Sequence, residues 1–183
     1  MTDIINYTLT NQGKSSRVLE FIRGNSNYFH VIGKSTSWTD DTKPPTPSPE
    51  LRDILEPILY KRVTIIRPAR IVQCPDNDDI LCNGNWFRTY RLEDILIDNR
   101  YFEVFPTHVY LQTIIRSNEY TANNFRVTGI VTNLTVKTGI PSNRQLYLPS
   151  EVSSPGLLQW VSYSTPIPRV TGKSHKLEFF LEL

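Results

Sequence analysis

Short runs in which apolar and polar positions alternate dominate the chain. The clearest run covers residues 176–183, where the side chains change character at a period of two, as in a strand that buries one face. Its apolar set is Leu177, Phe179, Leu181 and Leu183, and its intervening set is Lys176, Glu178, Phe180 and Glu182. Other runs rich in Val, Ile, Tyr and Phe, bounded by Gly, Pro, Asn or Asp, predict further strands. They cover residues 4–9, 28–32, 63–72, 86–91, 101–105, 109–116, 125–135 and 157–163.

Two segments show helical spacing instead. In residues 15–24, Ser15 stands where a capping residue is preferred, Val18, Leu19 and Ile22 share one face, and Gly24 ends the pattern. Residues 50–60 also place apolar side chains at helical intervals, although Pro57 should end or kink such a helix. We therefore predict an all-β protein, a β-sandwich with one or two short helices.

A proline-rich segment precedes the second helical pattern. Residues 43–49 hold four prolines in seven positions, which favours a stiff, extended conformation with few backbone hydrogen bonds. We call this segment the strap, because such a conformation suits a spacer or a crossing over a neighbour. The chain has 183 residues, within the range of one domain, and we expect a single domain over residues 1–183.

Composition narrows the function. Hydrophobic residues make up 39% of the chain, enough to build a core, and 20 basic residues against 18 acidic ones give a net charge of only +2. A nucleic-acid-binding protein usually concentrates far more positive charge, so we expect no nucleic-acid partner. The amino-terminal residues lack the pattern of a secretory signal, and residues 152–168, although uncharged, contain three prolines and cannot form a spanning helix. We expect no membrane partner.

Motifs that would carry chemistry are incomplete. Gly-Lys-Ser occurs at residues 13–15, 33–35 and 172–174, but none of the three has the upstream glycine that a phosphate-binding loop requires. The histidines, His30, His108 and His175, have no second ligand at metal-binding spacing. Cys74 and Cys82 are separated by seven residues, without a second pair, and synthesis in a host cytoplasm would keep them as thiols.

Catalytic patterns are missing as well. No Gly-x-Ser-x-Gly turn is present, and the carboxylates occur as adjacent pairs, whose side chains point in opposite directions on an extended chain. We therefore expect no enzyme, no catalytic residues, no cofactor, no metal and no small-molecule substrate. Basic side chains between residues 61 and 91 interleave with aromatic ones, a composition shared by single-strand nucleic-acid grooves and by protein interfaces, and the low net charge favours the interface.

Four stretches, read in order, resemble a known family. Residues 27–35, Asn-Tyr-Phe-His-Val-Ile-Gly-Lys-Ser, lead to Trp38, and residues 62–78 contain the step Ile-Ile-Arg-Pro-Ala-Arg. Residues 124–133 read Asn-Phe-Arg-Val-Thr-Gly-Ile-Val-Thr-Asn, and residues 156–183 close with a strand, prolines beside a basic residue, and the alternating terminal run. This order resembles the baseplate wedge protein of T4-like contractile-tailed bacteriophages known as gene product eight, in a shortened version that lacks a long insertion between the second and third stretches.

The resemblance implies a structural role in the virion. It implies one wedge-type β-sandwich in the tail baseplate, made in the host cytoplasm, which pairs as a homodimer and links other baseplate wedge proteins. Tyr, Trp and Arg are enriched at interface hot spots, so we select six candidate interface residues. They are Trp38, Trp86, Arg88, Phe125, Arg126 and Trp160.

Two other functions fit the sequence. A carbohydrate- or nucleic-acid-binding β-module would use Trp38, Trp86 and Trp160 as stacking platforms. Another tail adaptor protein would have the same composition and a different position in the particle.

Overall fold

The computed structural model of the chain describes residues 9–24, 27–96 and 100–183. Antiparallel strands are the predominant regular structure of this part, so the predicted all-β class is confirmed. The strands are β1 Tyr28–Gly33, β2 Pro57–Arg62, β3 Ile65–Val72, β4 Ile80–Cys82, β5 Asn85–Thr89, β6 His108–Arg116, β7 Asn124–Thr132, β8 Thr135–Val136, β9 Leu146–Tyr147, β10 Val152–Ser154, β11 Leu157–Pro168 and β12 Ser174–Glu182. The helices are α1 Asn11–Gly24, α2 Leu92–Leu96 and α3 Tyr101–Val104, with a 3-10 turn at Pro149–Glu151.

These strands form three sheets. One five-stranded sheet, which we call sheet A, has the order β11-β7-β1-β2-β9, and a second, sheet B, has the order β12-β6-β3-β5-β4. A two-stranded ribbon joins β8 and β10.

The chain forms two compact units, each assembled from separate segments. The first contains residues 1–26, 65–111 and 178–183, and the second contains residues 27–64 and 112–177. Whether these units behave as the single domain over residues 1–183 stays a prediction.

The core of the second unit lies on both faces of sheet A. On one face, β1 and β7 contribute Phe29, Val31 and Val131, which pack with Tyr60 and Tyr147. On the other face, Ile32 and Leu59 pack with Ile115, Tyr120 and Phe125. Alternate residues of β1 therefore enter two different clusters, which explains why all six of its residues are buried.

In the first unit, a side-chain hydrogen bond ties helix α1 to α3. Helix α1 begins after Thr10, whose hydroxyl accepts a hydrogen bond from the backbone nitrogen of Gly13 at 3.1 Å. The predicted helix is thus confirmed, but it begins at Asn11, and Ser15 lies buried inside it rather than at its cap. Its Ser15 carbonyl accepts a hydrogen bond from the Tyr101 hydroxyl at 2.6 Å.

Two element predictions were wrong. Residues 101–105, predicted as a strand, form helix α3, which ends at Phe105 in the left-handed region with φ 47°. Residues 50–60, predicted as a helix, are not helical; Glu56 has φ 45°, and strand β2 begins at Pro57, a position where a missing N–H is tolerated. The predicted strand at 4–9 lies, except for Leu9, outside the described residues.

The strap lies within the second unit and outside regular secondary structure over residues 44–48. Beyond it, Ile54 is 8% exposed and reaches two glycines of sheet A. A Cβ on Gly33 would lie 2.7 Å from Cγ2 of Ile54, and one on Gly129 would lie 2.4 Å from its Cδ1. The glycines therefore leave the space in which Ile54 packs.

Candidate interface

The six predicted interface residues fall into different environments. Phe125 is fully buried and packs against Tyr120 and His175, and Arg126 is 3% exposed. Neither side chain offers a surface in this structure, so their place among the interface residues needs correction: both serve the chain's own packing. Trp38 and Trp160 are half-buried, and Trp86, 37% exposed, is the most open of the three tryptophans.

Arg126 belongs to an internal clamp with Asp41. Its Nε and one terminal nitrogen donate to the two carboxylate oxygens of Asp41, both at 2.7 Å, and its other terminal nitrogen donates to the Ser35 carbonyl at 2.8 Å. Such a two-bond pair between guanidinium and carboxylate is strong and directional. These hydrogen bonds from Arg126 are the main reason that the pKa of Asp41 is lowered to about 2.

The same carboxylate positions Trp38. One oxygen of Asp41 accepts a hydrogen bond from the Trp38 backbone nitrogen at 2.9 Å, and the indole nitrogen of Trp38 donates to the Ser164 carbonyl at 3.0 Å. The indole lies 5.0 Å from the ring of Tyr163, and the Lys34 ammonium lies 4.8 Å from its centroid. The structure thus brings Trp38 and Arg126 together, as an anchor that holds the start of the strap on sheet A.

The two tryptophans of the second unit, Trp38 and Trp160, do not share a stacking platform. The register of β11 on β7 places Trp160 opposite Ile130 and Tyr163 opposite Val127. Those positions differ by an odd number, so the two side chains lie on opposite faces of sheet A. Trp38 packs on the Tyr163 face, and Trp86 belongs to the other unit. No pair of them within the second unit lines a common surface.

Trp86 and Arg88 do lie together, on β5 of sheet B. Trp86 is opposite Leu81 on one side and Val72 on the other, so the three side chains form a row across β4, β5 and β3 on one face. Leu81 is 57% exposed, the second most exposed large hydrophobic residue among those described. We call Leu81, Trp86 and Val72 the apolar row. Arg88 lies two positions from Trp86 and therefore on the same face.

Arg88 is fixed beside the apolar row by two carboxylates. Its Nε and one terminal nitrogen donate to the two oxygens of Asp79 at 3.0 and 2.8 Å, and it pairs with Asp76 at 2.5 Å. These hydrogen bonds from Arg88 hold the pKa of Asp79 below its ordinary range, and the pairing raises the pKa of Arg88. The side chain of Asp76 is 71% exposed, so the apolar row has a charged rim on this side. Sequence reasoning missed Leu81 and Val72, because only strand register shows that they join Trp86.

The interleaved basic and aromatic residues do not form one exposed surface. Tyr60 and Phe87 are buried, and Lys61 forms an ion pair with Glu119. Arg62 lies over the ring of Phe29, at 4.7 Å from its centroid, and donates to Asn27 at 2.6 Å. Tyr60, Lys61 and Arg62 serve contacts inside the second unit, whereas Phe87 is buried in the first unit.

Within residues 9–24, 27–96 and 100–183, no group of three or more His, Cys, Asp or Glu side chains is placed to hold a metal ion. Cys74 and Cys82 are both free thiols. None of the helices described combines the length and the apolar character needed to cross a membrane.

Comparison with known proteins identifies this chain as a phage tail protein. The sequence model of one family, described as baseplate wedge 3 tail fiber network component, matches residues 8–183, and the chain belongs to this family. It is also similar to "Virion protein 3" of Enterococcus phage phiEF24C, with 27% identity over 151 residues, which cover 82% of this chain and 81% of that protein. The chain is a structural component of the phage virion, located in the tail baseplate, and its partners are other baseplate proteins.

Proposed function

We propose that this chain is a bracket of the baseplate wedge in a contractile tail, which links neighbouring wedge proteins without catalysing a reaction. In this proposal it has the role of the gene product eight family, in a shortened version, and acts as a homodimer. Its synthesis takes place in the host cytoplasm, and it acts without nucleic acid, membrane or small-molecule substrate. The apolar row is the observation that supports docking to a wedge protein.

The apolar row has the features of a binding hot spot. Leu81 and Trp86 are both exposed and directly paired, so their Cβ atoms are about 5 Å apart. They would bury a continuous apolar area when a partner covers them. Arg88 is already held by Asp79, so little conformational entropy is lost when a partner contacts it. The exposed carboxylate of Asp76 favours a partner surface in which an apolar centre adjoins a basic residue.

Incorporation into tails tests this function. A phage that encodes Leu81→Ser and Trp86→Ser together should produce a folded chain that is lost from purified tails, because serine removes the apolar contact and both replaced side chains are exposed. Val170→Ser is the matched control, since Val170 is also an exposed hydrophobic residue, 40% accessible, but lies in the turn after β11. Mass spectrometry of purified tails measures the copies of each variant relative to wild type.

Three results would each contradict a part of this proposal. If the Leu81→Ser, Trp86→Ser chain enters tails at the wild-type level, the apolar row is not a docking surface. If wild-type tails contain the chain outside the baseplate in a reconstruction, the bracket role itself is wrong. Glycan or single-stranded DNA binding by the purified chain that is lost in Trp86→Ser would favour a binding module instead.

A further inference from the structure

The two five-stranded sheets end in four edge strands, which differ in how they are protected against pairing with another chain. Edges are usually blunted by short length, charges, prolines or bulges. In sheet B, β4 has only three residues, and β12 carries Lys176, Glu178 and Glu182. In sheet A, β9 has only two residues. Strand β11, at the other end of sheet A, has twelve residues and no charged side chain.

Among the described residues, most of the features that protect β11 from pairing lie in its second half. Its prolines are Pro166 and Pro168, and its register on β7 is interrupted between Tyr163 and Ile167. The carbonyl of Ser164 accepts the indole hydrogen bond from Trp38, so the chain's own anchor occupies the edge at that point. Residues 157–163 are left, and we call them the open edge. They contain one irregularity, between Leu158 and Trp160.

The open edge is held in an extended form by its inner neighbour. From Trp160 to Tyr163, each residue pairs in unbroken register with β7. At its start, Gly156 has φ 80°, and a Cβ there would lie 2.0 Å from the Thr132 carbonyl oxygen, so a residue without a side chain is needed where the strand approaches β7. An incoming strand would therefore meet a backbone that is already ordered, and the entropy lost on pairing is reduced.

We propose that the open edge pairs antiparallel with the open edge of a second copy of the chain. An antiparallel pair of identical strands has two-fold symmetry, so one patch supplies both halves of the contact. Like charges opposite one another would oppose such self-pairing, and residues 157–163 contain none. Leu157, which is 59% exposed, is the most exposed large hydrophobic residue among those described, and it lies at the end of this edge. The two copies of sheet A then form one continuous sheet.

This pairing rests on the homodimer of the proposed function and gives it a surface. Ser162→Lys is the test, because Ser162 is exposed in the unbroken part of the open edge, and a lysine there would lie opposite an uncharged residue near the start of the other copy's open edge, where its charge has no partner. Thr165→Lys is the matched control: it is exposed, adds the same charge to the same strand, and lies beyond the position occupied by Trp38. Sedimentation velocity at tens of micromolar should give a dimer for wild type and Thr165→Lys and a monomer for Ser162→Lys.

Hydrogen exchange provides a measurement that needs no variant. Amides of residues 157–163 in the wild-type chain should exchange at least several-fold faster after dilution to a concentration where the dimer dissociates, while amides of β7 should not change. A wild-type chain that stays monomeric, or a Ser162→Lys chain that dimerises like wild type, overturns the pairing. Neither result changes the incorporation of the chain into tails, so failure of this inference is distinct from failure of the bracket role.

Discussion

At the scale of single residues, long-range partners decide roles that the sequence does not show. Phe125 and Arg126 have the composition of an interface, but the first is fully buried and the second is bound to Asp41, 85 positions away in the sequence. A buried arginine with a complete set of acceptors fixes an internal geometry. No local pattern marks Asp41 as the partner of Arg126. The sequence therefore indicates which residue types could form an interface, but not whether their side chains point to the surface or into the core.

Replacing Asp41 by asparagine should destabilise the second unit at neutral pH, because it leaves the buried Arg126 without a counter-charge. The pKa of Asp41 in the folded chain is about 2, below the ordinary value near 4. The ionised carboxylate therefore contributes stability that is complete above the ordinary value and is lost as the pH falls through about 2. Urea unfolding of wild type and Asp41→Asn should show a difference at pH 7 that shrinks as the pH falls below 4.

The control for this prediction is Asp53→Asn. Asp53 is an exposed acid of the same unit, and its replacement should leave the free energy of unfolding nearly unchanged at every pH. A difference between wild type and Asp41→Asn that stays constant from pH 7 down to pH 2 would show that the charge of Asp41 is not what stabilises the clamp.

Gly129→Ala should destabilise the chain by about 1 to 3 kcal/mol, the usual cost of forcing extra volume into a packed core. The added Cβ would lie 2.4 Å from Cδ1 of Ile54 and 2.9 Å from the carbonyl oxygen of Trp160. Combining it with Ile54→Ala should give a loss smaller than the sum of the two single losses, because the clash with Ile54 disappears. Gly24→Ala, where nothing lies within 4 Å of the new Cβ, is the control. Equal unfolding free energies for all variants would exclude this close approach.

At the scale of elements, alternation and turn residues predicted most of the long strands, whereas ambiguous runs depended on tertiary contacts. Residues 101–105 are aromatic and favour a strand, but Tyr101 is 1% exposed, and its hydroxyl bonds to α1, so a short helix forms there. Residues 50–60 have helical spacing, but β1 pairs with β2 through Leu59 and Tyr60, and sheet pairing prevails. Strands of two or three residues, such as β4 and β9, are too short to give a periodic signal.

Strand β12 shows how much one predicted element contributes to the stability of the fold. Leu181 is 5% exposed, and Phe180, which the alternation placed on the outer face, stacks on Phe87 at 4.0 Å and lies 5.0 Å from Tyr110. Both faces of the strand are therefore partly covered. A large apolar side chain contributes about 1.5 to 3 kcal/mol when fully buried, and a typical domain has a net stability of about 5 to 15 kcal/mol.

Deletion of residues 177–183 should therefore abolish soluble folding. Circular dichroism and solubility of the truncated chain measure this loss of folding. Phe180→Ala is a milder change in the same strand. That variant should stay folded and lose about 3 kcal/mol, the lower end of the range for such truncations, because Phe180 is only half-buried. A truncated chain that still melts cooperatively would show that β12 is peripheral to the fold.

At the scale of the whole molecule, the chain offers two surfaces of different character. The apolar row lies in the first unit and consists of side chains, whereas the open edge lies in the second unit and consists of backbone. In the proposed function the chain contacts both its own copies and other baseplate proteins, and the two surfaces share no residues. The sequence could suggest that partners exist, but it could not show that Leu81 joins Trp86 or that β11 is an edge strand.

The last prediction is that the two surfaces act independently. A chain that carries Leu81→Ser and Trp86→Ser should still sediment as a dimer, because its open edge is intact, although it is lost from purified tails. Conversely, Ser162→Lys should give a monomer that still binds isolated baseplate protein through its apolar row, with unchanged affinity per chain. A chain with all three substitutions should lose both properties, and the change in its unfolding free energy should equal the sum of the separate changes within about 0.5 kcal/mol, as for sites that share no partner. If Ser162→Lys abolished the binding of isolated baseplate protein, or if Leu81→Ser with Trp86→Ser abolished the dimer, the two contacts would have to be parts of one surface.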